Sequence, residues 1–168
     1  MPAMTNPRDL FLHELQDVYY AEMAITKALP TMIEEASDNE LAKGLKRHLN
    51  ETKQQIRNLE KVFGKLGEQA QGHVCPGIEG IKAEHDDFMA EENPSKEIRD
   101  LFLTGAGART EHYEIAAYTS LIAQAKGLGE KDLVEPLDEN LRQEKDMLKL
   151  VDGIGRRMAR EARQLATK

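Results

Sequence analysis

The sequence predicts an all-α protein, a four-helix bundle made of two antiparallel helical hairpins joined by a long crossover that carries a short extra helix. Three observations lead there. Apolar residues recur at alternating 3- and 4-residue spacing over long stretches, the period of one helix face. Glycine and proline cluster between residues 64 and 80 and again at Gly127 and Gly129, dividing those stretches into two pairs. Charged residues make up 32% of the chain and aromatics only 5%, with no Trp, a mix that disfavours β-sheet architectures.

The first helix opens where Asn6 can cap it, with Pro7 at the first helical position and Asp9 in the first turn. Phe11, Leu15, Val18, Glu22, Ile25 and Leu29 then mark one face, and Pro30 kinks the helix before it stops near Ser37. Ser37 and Glu40 have capping-box spacing, with Asp38 as a second cap candidate. The second helix presents Leu41, Leu45, Leu49, Thr52, Ile56, Leu59 and Phe63, and ends at Gly64 and Gly67. Residues 68–94 form the crossover, with a short helix from about Ile78 to Glu91. Asn93-Pro94 repeats the Asn6-Pro7 start signal and opens a third helix that runs to about Lys126. The fourth helix carries Leu133, Leu137, Leu141, Glu144, Leu148 and Val151. Two hairpins with one long connection are a known four-helix topology, and the Gly/Pro breaks argue against a continuous coiled coil.

The 168 residues suit one domain spanning 1–168. A formal net charge of −7 makes the chain a poor binder of nucleic acid and a good one of cations. The basic run of Arg156, Arg157, Arg160, Arg163 and Lys168 reads as a complement to a helix C-terminus rather than a phosphate-binding surface. One cysteine, Cys75, excludes an intrachain disulfide and a Cys-type zinc site, which points to a reducing, cytoplasmic setting. Neither a signal peptide nor a membrane-spanning apolar run is expected.

Two acidic residues stand inside the core pattern. Glu22 and Glu144 occupy positions where an apolar residue is expected, and a buried carboxylate must be paired, neutralised or metal-bound. Their heights along the bundle agree with those of other carboxylates. Glu22 lies about 15 residues before the first turn and Glu51 about 14 after it, so at about 1.5 Å per residue both stand roughly 20 Å from it. Glu114 and Glu111 precede the second turn by about 14 and 17 residues, and Glu144 follows it by about 16, which sets them at a similar depth. His48 precedes Glu51 by one turn and Gln55 follows it by one; Tyr118, one turn beyond Glu114, is placed to hydrogen-bond a carboxylate. His112 projects about 100° away from Glu111. Singly, each residue has a plainer reading: Glu51, Glu111 and Glu114 as surface charges, Glu22 and Glu144 as stripe-edge ion pairs, His48 as structural. Their common height selects Glu22, His48, Glu51, Glu111, Glu114 and Glu144 as the candidate metal ligands.

With those residues in place, the chain resembles the YciF-type bacterial stress proteins, a ferritin-like family. The resemblance rests on residues 9–30 (DLFLHELQDVYYAEMAITKALP), 48–63 (HLNETKQQIRNLEKVF) and 111–121 (EHYEIAAYTSL), with a weaker block at 137–144 (LDENLRQE). It covers nearly the whole chain apart from the tails, and EHYEIAAY is its most specific motif. The resemblance implies a ferritin-like four-helix bundle, a homodimer, and a di-metal centre. Two features depart from the wider ferritin-like pattern, which places a His three residues after a Glu on two helices; here Gln54 and Met147 occupy those positions. Leu148 also stands where relatives often carry an Asp.

Carboxylates with an imidazole suit iron, with manganese as the alternative metal. The expected function is that of a stress-related protein with a di-iron site that reacts with dioxygen or peroxide, as an oxidase or peroxidase-like enzyme. In that reading Tyr19, Tyr20, Tyr113 and Tyr118 serve as electron donors or hydrogen-bond partners. The competing expectation is a structural or interaction protein in which the metal only stabilises the fold. The small residues Gly105, Ala106, Gly107 and Ala108 permit close helix approach, either at a dimer interface or inside the bundle.

Overall fold

The computed structural model describes residues 3–165 of the chain, and the side chains of residues 3–163. Lys168, the last of the basic tail, lies outside the described residues. Helix α1 spans Pro7–Glu35, α2 Asn39–Leu66, α3 Pro76–Glu92, α4 Lys96–Gly127 and α5 Val134–Leu165, with a single 3-10 turn at Lys131–Leu133 before α5. No strand occurs among the described residues. The fold is the all-α bundle expected from the sequence. The pairs α1/α2 and α4/α5 are the hairpins, and α1 also packs on α4 and α2 on α5. Helix α3 is the crossover helix and lies against α4 and α1.

Local chemistry sets the ends. Asn6 accepts from the Arg8 N–H at 2.9 Å and Pro7 opens α1, which runs through Pro30 to Glu35. The cap of α2 is Asp38 rather than Ser37: its carboxylate accepts from the N–H groups of Glu40 and Leu41, both at 2.9 Å. The Ser37 hydroxyl instead accepts from Arg99 at 3.1 Å. Gly67 ends α2 at φ 75°, and the Glu68 N–H reaches the Phe63 carbonyl at 3.0 Å, a closure that needs the left-handed backbone glycine tolerates. Asn93 does not start α4. At φ 43° it terminates α3, a conformation Asn adopts more readily than most residues, and Ser95 caps α4.

The buried stripe of α2 is rotated from the expected one. It passes through Leu41, Leu45, His48, Thr52, Gln55, Leu59 and Val62, while Leu49 and Ile56 are only half-buried. Of the small-residue run in α4, Ala106 and Gly107 are used inside the bundle: a Cβ on Gly107 would stand 3.4 Å from Val151 of α5. Arg157 closes the α1–α2 end by pairing with Asp38 at 2.8 Å and Glu40 at 3.4 Å.

The interior consists of two apolar layers. One gathers Phe11, Leu15, Leu59, Phe63, Leu121 and Leu137 around the α4–α5 turn; the other gathers Ile25, Leu29, Leu41, Leu45, Leu103, Met147 and Val151 toward the α1–α2 turn. The functional residues lie between them.

Candidate metal centre

Each of the four bundle helices sends polar side chains into the gap between the apolar layers. Glu22 comes from α1, His48 and Gln55 from α2, Glu111 and Glu114 from α4, and Glu144 from α5. None is more than 2% exposed. Ligand atoms of His48, Glu111, Glu114 and Glu144 all lie within 4.8 Å of one another. His48 Nε2 faces Glu111 Oε1 at 3.4 Å, a close approach without hydrogen-bond geometry. Gln55 donates its amide to Glu144, and Tyr118 donates its hydroxyl to Glu22.

The crowding governs protonation. Burial pushes Glu22 well above the usual carboxylate range, with repulsion from Glu144 adding to the rise and the Tyr118 hydrogen bond opposing it. Burial does the same to Glu111, reinforced by a hydrogen bond with Glu144 and by the charges of Glu144, Glu22 and Glu51. Glu114 rises for burial first, then for the charges of Glu144, Glu22 and Glu111. Glu144 is raised to about 7, mainly by burial, with the Glu111 and Gln55 hydrogen bonds holding it back. Burial holds the His48 imidazole down, to about 4, with a smaller push from Arg47, so at neutral pH the ring offers a lone pair.

The atoms left without partners are the informative ones. Among the described residues, Glu22 Oε2, both ring nitrogens of His48, Glu111 Oε2, both oxygens of Glu114 and Glu144 Oε2 are buried with no hydrogen bond. Buried polar atoms are rarely left so, and one ligand atom each from His48, Glu111, Glu114 and Glu144 lies in a single cluster. A cation is the group that would satisfy them together. Several carboxylate oxygens and one imidazole nitrogen fit Fe(II) or Mn(II).

Five of the six sequence-predicted ligands are therefore buried in this layer, four of them in a mutual cluster with Glu22 beside it. Glu51 stands apart. It is half-buried, and Arg47 holds its carboxylate at 3.5 Å, although its charge is still felt by Glu111 and Glu144. The reason is rotational: Glu51 is one residue, about 100°, from Thr52 on the buried stripe. Met147 is fully buried in an apolar layer and Gln54 donates to Asn58 at 3.1 Å, so neither replaces a ligating imidazole. Of the tyrosines, Tyr118 meets the carboxylates; Tyr19 bonds Glu60, Tyr20 bonds Glu79, and the Tyr113 hydroxyl lies 2.7 Å from Cys75 Sγ. His112 is exposed.

Sequence reasoning missed Asn58 and Asn140, which are 1% and 0% exposed and tie the layer below the carboxylates together. The signal was present: Leu137, Asn140 and Glu144 follow stripe spacing on α5, so Asn140 is a second polar residue in the apolar pattern. A cavity of about 280 Å³ is lined by Ile25 and Leu29 of α1, Leu45 and His48 of α2, Ile78 and Ile81 of α3 and Glu111 of α4, with Lys27, Lys82 and Asp86 also on its wall. No helix among the described residues is long and apolar enough to cross a membrane.

The chain belongs to the family described as a domain of unknown function, DUF892, whose model matches residues 6–163. It is 33% identical over 151 residues to Protein YciF of Escherichia coli strain K12, covering 89% of this chain and 90% of that protein. The crystal structure of the E. coli stress protein YciF matches with a TM-score of 0.88 at 30% identity, over 94% of this chain and 99% of that one. YcfI of Rhodopseudomonas palustris, described as a candidate structural protein, matches with a TM-score of 0.85 at 44% identity, over 88% of this chain and 94% of that one. The resemblance to YciF-type stress proteins read from the residues stands.

Proposed function

We propose that this member of the YciF-like stress protein family binds a redox-active metal, a di-iron centre, in the carboxylate layer of its bundle, and reacts there with dioxygen or peroxide. The observation that carries this reading is the cluster of buried carboxylates around one imidazole, with several of their oxygens left without a hydrogen bond. His48, Glu111, Glu114 and Glu144 would hold the metal, with Glu22 and Glu51 as the nearest further carboxylates. Iron bound there would supply an electron donor for a small oxidant; manganese is the alternative occupant. The chain's own residues supply the rest. Gln55 fixes the orientation of Glu144, Tyr118 holds a proton against Glu22, and the apolar layers exclude bulk water. The cavity that has His48 and Glu111 in its wall suits entry of a small oxidant.

The test is thermal melting under anaerobic conditions with and without Fe(II), on the wild type and on Glu144→Ala, together with elemental analysis of protein purified without added metal. A ligand that binds only the folded state must raise its melting temperature. Fe(II) is expected to stabilise the wild type and to do so much less in Glu144→Ala. No rise in either protein sinks the metal reading, and equal rises remove Glu144 from the ligand set.

A second reading, a structural protein in which metal only stabilises the bundle, draws support from the R. palustris relative described as a candidate structural protein. Consumption of peroxide by the reduced, iron-loaded protein separates the two. Both readings place the protein in the cytoplasm as a homodimer, for which sedimentation at twice the 18.9 kDa chain mass is the check.

A further inference from the structure

A second group of ligating side chains lies on the surface, away from the carboxylate layer. His13 and Asp17 stand one turn apart on α1, and His73 comes from the crossover just before α3. One ligand atom from each lies within 4.8 Å of the other two. The Asp17 carboxylate is shared between the two rings: Oδ1 lies 3.3 Å from His73 Nδ1 and Oδ2 lies 3.8 Å from His13 Nε2. The ring centroids are 5.6 Å apart.

We propose that His13, Asp17 and His73 form a surface site for a borderline divalent cation of the Zn(II), Ni(II) or Cu(II) class. Two neutral imidazoles and one carboxylate are the donor set such ions prefer, in contrast to the oxygen-rich layer inside the bundle. Water completes the coordination, because both histidines are exposed and Asp17 is only half-buried. That exposure also keeps the cost of dehydrating the ligands small.

The site exists only in the folded chain, since it joins residues far apart in sequence. The crossover arrives pre-positioned. The His73 N–H donates to the Gln16 carbonyl at 3.3 Å, and a Cβ on Gly72 would stand 3.2 Å from the Tyr20 Cα, so this backbone already rests against α1. A cation held by all three side chains ties the crossover to α1 three residues ahead of Pro76, the start of α3. Helix α3 supplies Ile78 and Ile81 to the wall of the cavity, so the tie anchors that wall. The simpler alternative is a pair of imidazoles sharing one carboxylate, with no metal.

Electron paramagnetic resonance of the full chain titrated with Cu(II) decides between them. The expected spectrum at one equivalent shows coupling to two imidazole nitrogens. That pattern persists in His48→Gln, because the interior layer offers a single imidazole, and is lost in His13→Gln and in His73→Gln. Losing a group that merely supports a ligand already weakens metal sites by about 10–100-fold. Each surface substitution is therefore expected to lower Cu(II) affinity at least about tenfold. All three positions tolerate substitution without unfolding the bundle if circular dichroism is unchanged. Coupling to no more than one nitrogen in the wild type, or a two-nitrogen pattern that survives both surface substitutions, overturns the proposal.

Discussion

Asn140 donates one amide hydrogen to the Tyr118 hydroxyl at 3.0 Å and the other to the Gln55 carbonyl at 3.2 Å. Its own oxygen accepts from Asn58 Nδ2 at 2.9 Å, and Asn58 in turn accepts from Lys61 Nζ at 3.1 Å. The donors all run in one sense, from a surface ammonium through Asn58, Asn140 and Tyr118 to Glu22. Aligned hydrogen bonds polarise one another, so the positive end of the chain is presented to the Glu22 carboxylate. This is the interaction that opposes the burial and repulsion acting on Glu22.

Replacing Asn140 with Leu should therefore do more than remove one contact. It strips Asn58 of its buried acceptor and Tyr118 of its donor. The expected loss is about 1–3 kcal/mol of stability, read as a lower urea midpoint at unchanged slope. A midpoint equal to that of the wild type would show that the chain contributes nothing.

Glu144→Gln should behave in the opposite way in metal-free protein. It removes one charge from a crowded buried group while keeping a polar partner for Gln55. Neutralising a buried charge is often stabilising, so the metal-free variant is expected to lie between wild-type stability and about 2 kcal/mol above it. Urea unfolding in chelator measures this. A clear destabilisation would mean that the carboxylate is stabilised without metal.

The metal-free protein should also lose stability as pH rises. Glu22, Glu111, Glu114 and Glu144 have folded values above their unfolded ones, so the folded chain keeps protons that the unfolded chain releases. Their contribution is complete below the unfolded value of 4.5 and is lost as pH climbs through the folded values, for Glu144 about 7. His48 acts with the opposite sign: its folded value of about 4 lies below the ordinary imidazole value of 6.5, so its contribution is gained as pH rises through that window. Above about pH 6.5 only the carboxylates remain, and calorimetry in chelator should show a falling melting temperature up to about pH 8. Saturating Mn(II) should flatten that slope, because a bound cation favours the ionised carboxylates. A melting temperature that rises over this range in chelator would contradict the assignment.

Asp100 of α4 anchors the opposite end of the bundle. Its carboxylate accepts from the Ser37 N–H at 2.8 Å and the Asp38 N–H at 2.9 Å, gripping the α1–α2 turn. Asp100→Ala leaves both donors without that acceptor and should cost about 2–4 kcal/mol, with Asp100→Asn recovering part of it. Hydrogen exchange at residues 37 and 38 should accelerate in the Ala variant. Unchanged exchange would remove Asp100 from this role.

The sequence by itself determined the helices, their pairing and a set of six candidate ligands, five of which are buried in one layer. Helical periodicity is a local property, and Glu22 and Glu144 were legible because each interrupts an apolar stripe on a helix with one buried face. Glu111 and Glu114 read as surface charges when taken singly, since α4 packs against α1, α3 and α5 and so shows no single stripe to interrupt. Only the tertiary structure decided that His48 and Gln55, rather than Glu51, face the interior of α2. One residue is about 100° of rotation, and that angle is set by packing against α1 and α5. The meeting of His13 with His73, the grip of Asp100 on the first turn and the donor chain into Glu22 were likewise invisible in the sequence. Each joins side chains from different elements, and their approach depends on how the helices are rotated and how the crossover is laid down, which no local pattern encodes.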